Sequence, residues 1–115
     1  RDYLQEGAEM ALSAGVQRNK IIIDPGMGFG KRIEDNFVIL RDLNRLKSLG
    51  FPIVVGPSRK SFIGLTLNLP VHERIEGTAA SVTAAILNGA DIVRVHDVKQ
   101  MSRVVKIADK IAGKN

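Results

Sequence analysis

Three short apolar runs in this chain end on residues that could do chemistry. Asp24 follows Ile21-Ile22-Ile23. Ser58, Arg59 and Lys60 follow Ile53-Val54-Val55, with Gly56-Pro57 between. Arg94 and His96 close Ile92-Val93-Arg94-Val95. Arg59, Lys60, Arg94 and His96 make a natural cradle for a diphosphate, because Arg offers paired N–H donors to oxyanions. A carboxylate among them can accept paired N–H donors from a heterocycle. The combination suits an anionic leaving group attached to a nitrogenous ring. Each residue alone has a plainer reading. An Asp before Pro25-Gly26 is commonly a turn residue, and a strand-end His is more often structural. Recurrence at three equivalent positions favours a site.

These residues need elements that bring them to one place. The apolar runs are β-branched and continuous, as in strands buried on both faces of a parallel sheet. Helical patterns separate them. Leu4, Ala8, Ala11 and Leu12 precede Gly15, and Ile33, Phe37, Leu40, Leu43, Leu46 and Leu49 precede Gly50. A third helix is expected from about Val71 to Asn88, closed by Gly89. In a fourth, Val98, Met101, Val105, Ala108 and Ile111 mark the buried stripe, with Asp97 as its cap and Gln100 completing a capping box. The order is αβαβαβα, with three parallel strands. The stretch containing Ser58-Arg59-Lys60-Ser61 reads as a loop. Parallel strands gather their C-terminal ends on one side, where ligands bind both in barrels and in open sheets. A small doubly wound sheet and part of a (β/α)₈ barrel both fit.

The glycine loop Gly26-Met27-Gly28-Phe29-Gly30-Lys31 is neither common phosphate-binding motif. Lys31 stands where the dinucleotide fingerprint needs its third glycine. Arg32 stands where a Walker A loop needs Ser or Thr, and Pro25 where it needs its first glycine. It reads as a permissive turn presenting Phe29 to a pocket, or as a plain loop.

Composition narrows the classes. The chain has 115 residues, 44% hydrophobic and 25% charged, with a net charge of +5 and no cysteine. That excludes a disulfide framework and thiolate chemistry. The basic residues are scattered and aromatics are 4%, so no nucleic-acid partner is expected. No run approaches the ~18 apolar residues of a membrane span, and no secretory signal is seen. The expectation is a cytoplasmic protein with no membrane partner.

Four blocks then stand out together. They are Asp24-Pro25-Gly26-Met27-Gly28-Phe29-Gly30-Lys31, Gly56-Pro57-Ser58-Arg59-Lys60-Ser61-Phe62, Glu73-Arg74 with Gly77-Thr78, and Arg94-Val95-His96-Asp97-Val98. In order and spacing they resemble the dihydropteroate synthase family, from residue 20 onward. The resemblance implies a (β/α)₈ barrel and a transferase of folate biosynthesis, the target of sulfonamides. Such an enzyme joins 4-aminobenzoate to 6-hydroxymethyl-7,8-dihydropterin diphosphate, releases pyrophosphate and is assisted by Mg²⁺. By matching motif, Asp24 would bind the pterin, and Lys60 would touch both pterin and aminobenzoate. Ser61 and Phe29 would line the aminobenzoate pocket, Arg94 and His96 would hold the diphosphate, and Arg59 would shape the adjoining loop. Asp24, Lys60 and Arg94 are the catalytic candidates.

A complete barrel needs roughly 200 residues or more. The resemblance therefore implies a single partial domain, 1–115, the C-terminal portion with strands β6–β8 of the family barrel. No metal ligand is expected in it. The Mg²⁺ ligand would lie in the part not present. Alone, the chain is expected to be inactive. The intact enzyme would be a homodimer, and this portion would self-associate or pair with the missing part, because its inner strand face lacks partners. The alternatives are a non-catalytic pterin- or anion-binding module and a related pterin-binding methyltransferase domain.

Overall fold

The computed structural model of the chain describes residues 2–27 and 32–114. It is an α/β fold in which helices dominate. Helix α1 (Asp2–Ser13) leads through a 3₁₀ turn at Arg18–Lys20 to α2 (Ile33–Arg41) and a 3₁₀ segment at Leu43–Leu49. Strand β1 (Val54–Val55), α3 (Ser61–Leu67), a 3₁₀ turn at Val71–Glu73, α4 (Ile75–Leu87), β2 (Ile92–Val93) and α5 (Val98–Ile111) follow.

β1 and β2 pair in parallel, Val54 with Ile92 and Val55 with Val93. On the other side of β1, Ile23 forms a parallel bridge to Ile53. The Ile23 N–H donates to Pro52 O at 2.9 Å, and the Val54 N–H donates to Ile23 O at 2.9 Å. The expectation of three strands, 21–23, 53–55 and 92–95, is therefore corrected to two strands of two residues and one bridge. β1 has neighbours on both sides. Each neighbour has a partner on one side only among the described residues, and a ladder supported from one side is short.

Alternation along these segments explains their burial. Ile23, Ile53 and Val55 are buried on the helix side, while Ile22 and Ile92 are exposed on the other. The helix side forms one core with Leu40, Leu43, Leu46, Phe51 and Phe62. Phe62 is 1% exposed and meets Phe37 edge to face, with ring centroids 5.3 Å apart. A second cluster, Val82, Ile86, Met101 and Ala108, joins α4 to α5. Small residues let α3 and α4 approach closely. A Cβ on Gly77 would lie 2.2 Å from Ile63 Cγ2.

Several helical expectations need adjustment. The helix expected through Leu49 stops at Arg41 and tightens to 3₁₀ before Gly50, whose φ is +81°. The stretch after Lys60 is not all loop, because α3 occupies Ser61–Leu67. The helix expected from Val71 begins at Ile75, after a separate 3₁₀ turn. The stripe of α5 is narrower than expected: Met101 and Ala108 are buried, whereas Val98 and Ile111 are exposed. The Asp97 side chain makes no capping bond; its carboxylate is turned to Arg59 instead.

Candidate active site at the strand ends

Parallel pairing sends the ends of Ile23, β1 and β2 to one rim, and the polar residues follow them there. Asp24 comes directly after the bridged Ile23. Its Oδ1 accepts the Gly26 N–H at 2.8 Å, which closes the turn, and Gly26 adopts φ +71°. Its Oδ2 accepts a hydrogen bond from Arg94 Nη2 at 2.9 Å. The Arg94 guanidinium passes over Gly56 on the middle segment. A Cβ there would lie 3.1 Å from both Nε and Nη2. Glycine at 56 thus leaves space for the ion pair to span the strand between its partners. The Arg94 side chain is 63% exposed and that of Asp24 31%, so the pair stays within reach of a ligand.

His96 is exposed, but its ring is anchored from behind. Ser58, 4% exposed, accepts the His96 backbone N–H at 3.0 Å. The same Oγ lies 2.9 Å from His96 Nδ1.

Arg59 is held away from the cradle expected for it. Its Nε and Nη2 donate to Asp97 Oδ2 and Oδ1 at 3.1 and 2.6 Å, a bidentate pair. Its backbone is left-handed, with φ +55°, a conformation uncommon outside Gly and Asn. Two backbone hydrogen bonds and one side-chain pair hold it there. The Arg59 N–H donates to Thr78 Oγ1 at 3.0 Å, Arg74 Nη1 donates to Arg59 O at 2.9 Å, and Asp97 holds the side chain. The hydrogen bond from Arg59 keeps the Asp97 carboxyl below its usual range and the Arg59 guanidinium above its own. Two of the guanidinium nitrogens of Arg59 are thereby occupied by Asp97.

Lys60 immediately precedes α3 with extended backbone, φ −66° and ψ 155°. It is half-buried, and among the described residues its ammonium makes no ion pair. Ser61 opens α3, but its side chain, and Phe29 entirely, lie outside the described residues. The structure therefore brings Asp24 to Arg94, Ser58 to His96 and Arg59 to Asp97, and it sets Lys60 at the start of the adjacent helix.

Sequence reasoning placed Ser58 at the strand end without a partner, and did not single out the supporting residues Gly56, Thr78, Arg74 and Asp97 as parts of the site. Their signal was present only as motif neighbours: none lies on a periodic stripe, and Asp97 looked like a helix cap.

A family model described as pterin binding enzyme matches residues 1–96. The dihydropteroate synthase of Clostridium beijerinckii is 53% identical over 109 residues, covering 94% of this chain and 40% of that protein. That of Bacillus subtilis is 47% identical over 111 residues, covering 96% of this chain and 39% of that protein. Among solved structures, a Coxiella burnetii dihydropteroate synthase in complex with pteroic acid superposes with a TM-score of 0.94 at 39% identity, covering 97% of this chain and 42% of that one. A clostridial dihydropteroate synthase solved in the presence of pteroic acid gives a TM-score of 0.92 at 48% identity, covering 96% of this chain and 42% of that one. The chain thus spans about two fifths of the length of the curated relatives it matches. It belongs to the pterin binding enzyme family, and the relatives it resembles are dihydropteroate synthases.

Proposed function

We propose that this chain supplies the C-terminal, substrate-binding part of a dihydropteroate synthase barrel, a single partial domain over 1–115 whose Ile23 bridge, β1 and β2 stand where strands β6–β8 of the family barrel would be. The reaction joins 4-aminobenzoate to the methylene of 6-hydroxymethyl-7,8-dihydropterin diphosphate and releases pyrophosphate. The observation that carries this reading is the Asp24–Arg94 pair, a carboxylate and a guanidinium 2.9 Å apart at the strand ends. A pterin diphosphate offers both groups better partners. Its ring N–H donors suit Asp24, and its diphosphate suits Arg94 and the His96 ring beside it. Exchanging the pair for these contacts costs little, because an exposed ion pair is worth about 0–1 kcal/mol.

Chemistry follows from the charges. As pyrophosphate departs, negative charge grows on its oxygens and positive character on the pterin methylene. Arg94 and His96 stabilise the first electrostatically. Asp24 fixes the ring and offsets the second. Lys60 bridges the pterin and aminobenzoate positions, and Ser61 and Phe29 line the latter. The amine then needs positioning more than a strong base. The Arg59–Asp97 pair holds the loop from which Lys60 projects.

Mg²⁺ is the ion this reading implies. The rim carboxylates do not fit it. Both oxygens of Asp24 are engaged, by the Gly26 N–H and Arg94, and both oxygens of Asp97 by Arg59. Its ligands are assigned to barrel segments outside this chain. Among the described residues no helix is long and apolar enough to cross a membrane, in keeping with a proposed cytoplasmic site of action. A homodimer is proposed for the complete enzyme.

The test is an assay of dihydropteroate formation with both substrates and Mg²⁺, run on this chain alone and on a complete barrel carrying it. The barrel should turn over and the chain alone should not. A complete barrel that binds pterin diphosphate yet never forms dihydropteroate would favour a non-catalytic binding module instead.

A further inference from the structure

His96 is held by one buried hydroxyl, and that hydroxyl has limited options. Ser58 Oγ sits 3.0 Å from the His96 backbone nitrogen and 2.9 Å from Nδ1 of the same residue. The backbone N–H can only donate, so Oγ accepts there. A hydroxyl has one proton to give. Ser58 is 4% exposed, and among the described residues His96 Nδ1 is the sole acceptor within reach of that proton. Donation from Oγ–H to Nδ1 satisfies both groups. Acceptance from an Nδ1–H would leave a buried hydroxyl proton without a partner, which carries a desolvation penalty.

We infer that Ser58 is a positioning residue that locks the neutral His96 ring with its proton on Nε2. Because Nδ1 is turned to Ser58 and the residue is exposed, the Nε2–H is the donor that faces a ligand. A neutral imidazole so oriented can donate to a diphosphate oxygen without first gaining a proton, and it arrives already aimed. Ser58 touches no substrate in this account. It acts through His96, and it lies in the Gly56–Ser61 segment that also carries Lys60. One residue thereby couples the ends of β1 and β2. The anion role of this inference rests on the proposed function above; the ring's protonation pattern does not.

The test uses the full chain with ¹⁵N-labelled histidine. The sequence holds two histidines, His72 and His96, and His72→Gln assigns the signals. Long-range ¹H–¹⁵N spectra, recorded where the ring is neutral, should show His96 with Nδ1 bare and Nε2 protonated. Ser58→Ala should mix the tautomers and weaken inorganic pyrophosphate binding roughly three- to tenfold, the range of one neutral hydrogen bond. Ser58→Thr, which keeps the hydroxyl, should restore both. A wild-type ring protonated on Nδ1 overturns the inference, as does a Ser58→Ala protein whose tautomer and pyrophosphate affinity are unchanged. The wild-type spectrum stands as a test even if Ser58→Ala misfolds. If pyrophosphate leaves the wild-type His96 signals unmoved, the anion role is overturned together with the functional reading it rests on.

Discussion

Arg94 reaches back across β1 to put Nη2 2.9 Å from Asp24 Oδ2, over a residue, Gly56, that has no side chain. Seventy positions separate the two partners in the chain. Only parallel pairing of their segments to the same middle strand makes them neighbours. Because both sit directly after sheet residues, they inherit its rigidity, and a ligand meets groups that are already placed.

Gly56→Val should fold, because Arg94 is exposed and can swing outward. It should also push the guanidinium off Asp24 and weaken pyrophosphate binding at least threefold. Isothermal titration checks this. Unchanged affinity with an intact fold would show that the bare Cα at 56 has no bearing on the pair.

Asp97→Asn should keep the side-chain volume while removing the charge that holds Arg59. The left-handed Arg59 backbone then loses one of its constraints, and the loop carrying Lys60 loosens. In a complete barrel this should lower kcat and raise the KM for aminobenzoate together. Asp97→Glu should recover part of both. Wild-type kinetics in Asp97→Asn would remove Arg59–Asp97 from the account.

Phe62 is fully buried and contributes an edge-to-face contact with Phe37. Phe62→Ala should cost about 3–5 kcal/mol of stability, read as a lower urea midpoint. A loss under about 1 kcal/mol would mean that the core collapses around the gap.

At the opposite end of the sheet, Asp91 Oδ2 accepts both Lys47 Nζ at 2.8 Å and the Ile53 N–H at 3.0 Å. Burial alone would raise this carboxyl, but these hydrogen bonds and the Lys47 charge bring it below its usual 3.8. A depressed folded value means that the stabilisation is present above the unfolded value, near 3.8, and is lost as pH falls through the lower folded one. Asp91→Asn should therefore destabilise at neutral pH, and the difference from wild type should shrink in acid. A difference that grows below pH 4 would contradict this sign.

Ile22 is 52% exposed and Ile92 43%, on the sheet face away from the helices. The proposed barrel would cover them. The isolated chain should self-associate through this face, as read by light scattering, and Ile22→Glu with Ile92→Glu should raise the monomer fraction. A monomeric wild type at high concentration would argue that these residues are not an unpaired inner wall.

Much of this arrangement was legible in the residues, and what was not has physical causes. Asp24, Arg94 and His96 could be placed at strand ends because β-branched runs and turn residues mark those ends locally. The parallel order followed from helices lying between strands. Strand length was not legible, because a ladder grows with neighbours on both sides and, among the described residues, Ile21–Ile23 has one. The break after Arg41 was masked because the apolar stripe continues unbroken through Leu49; its three-residue spacing from Leu40 onward matches the 3₁₀ period but is also a spacing an α-helix stripe uses. Asp97 satisfied the helix-cap pattern, but a guanidinium from a distant loop offered its carboxylate a charged partner in place of a backbone N–H. Such competition is tertiary and leaves no local trace. Ser58 could be placed at a strand end, but its partner, the His96 ring, comes from another strand and has no local signal.

The most direct test of the account is steady-state dihydropteroate formation by a complete barrel carrying this sequence, with Lys60→Ala and Arg94→Ala made separately. Each substitution should cut the rate more than tenfold, about 1.4 kcal/mol or more of transition-state stabilisation. Near-normal turnover in both variants would contradict the claim that these strand ends form the reacting site.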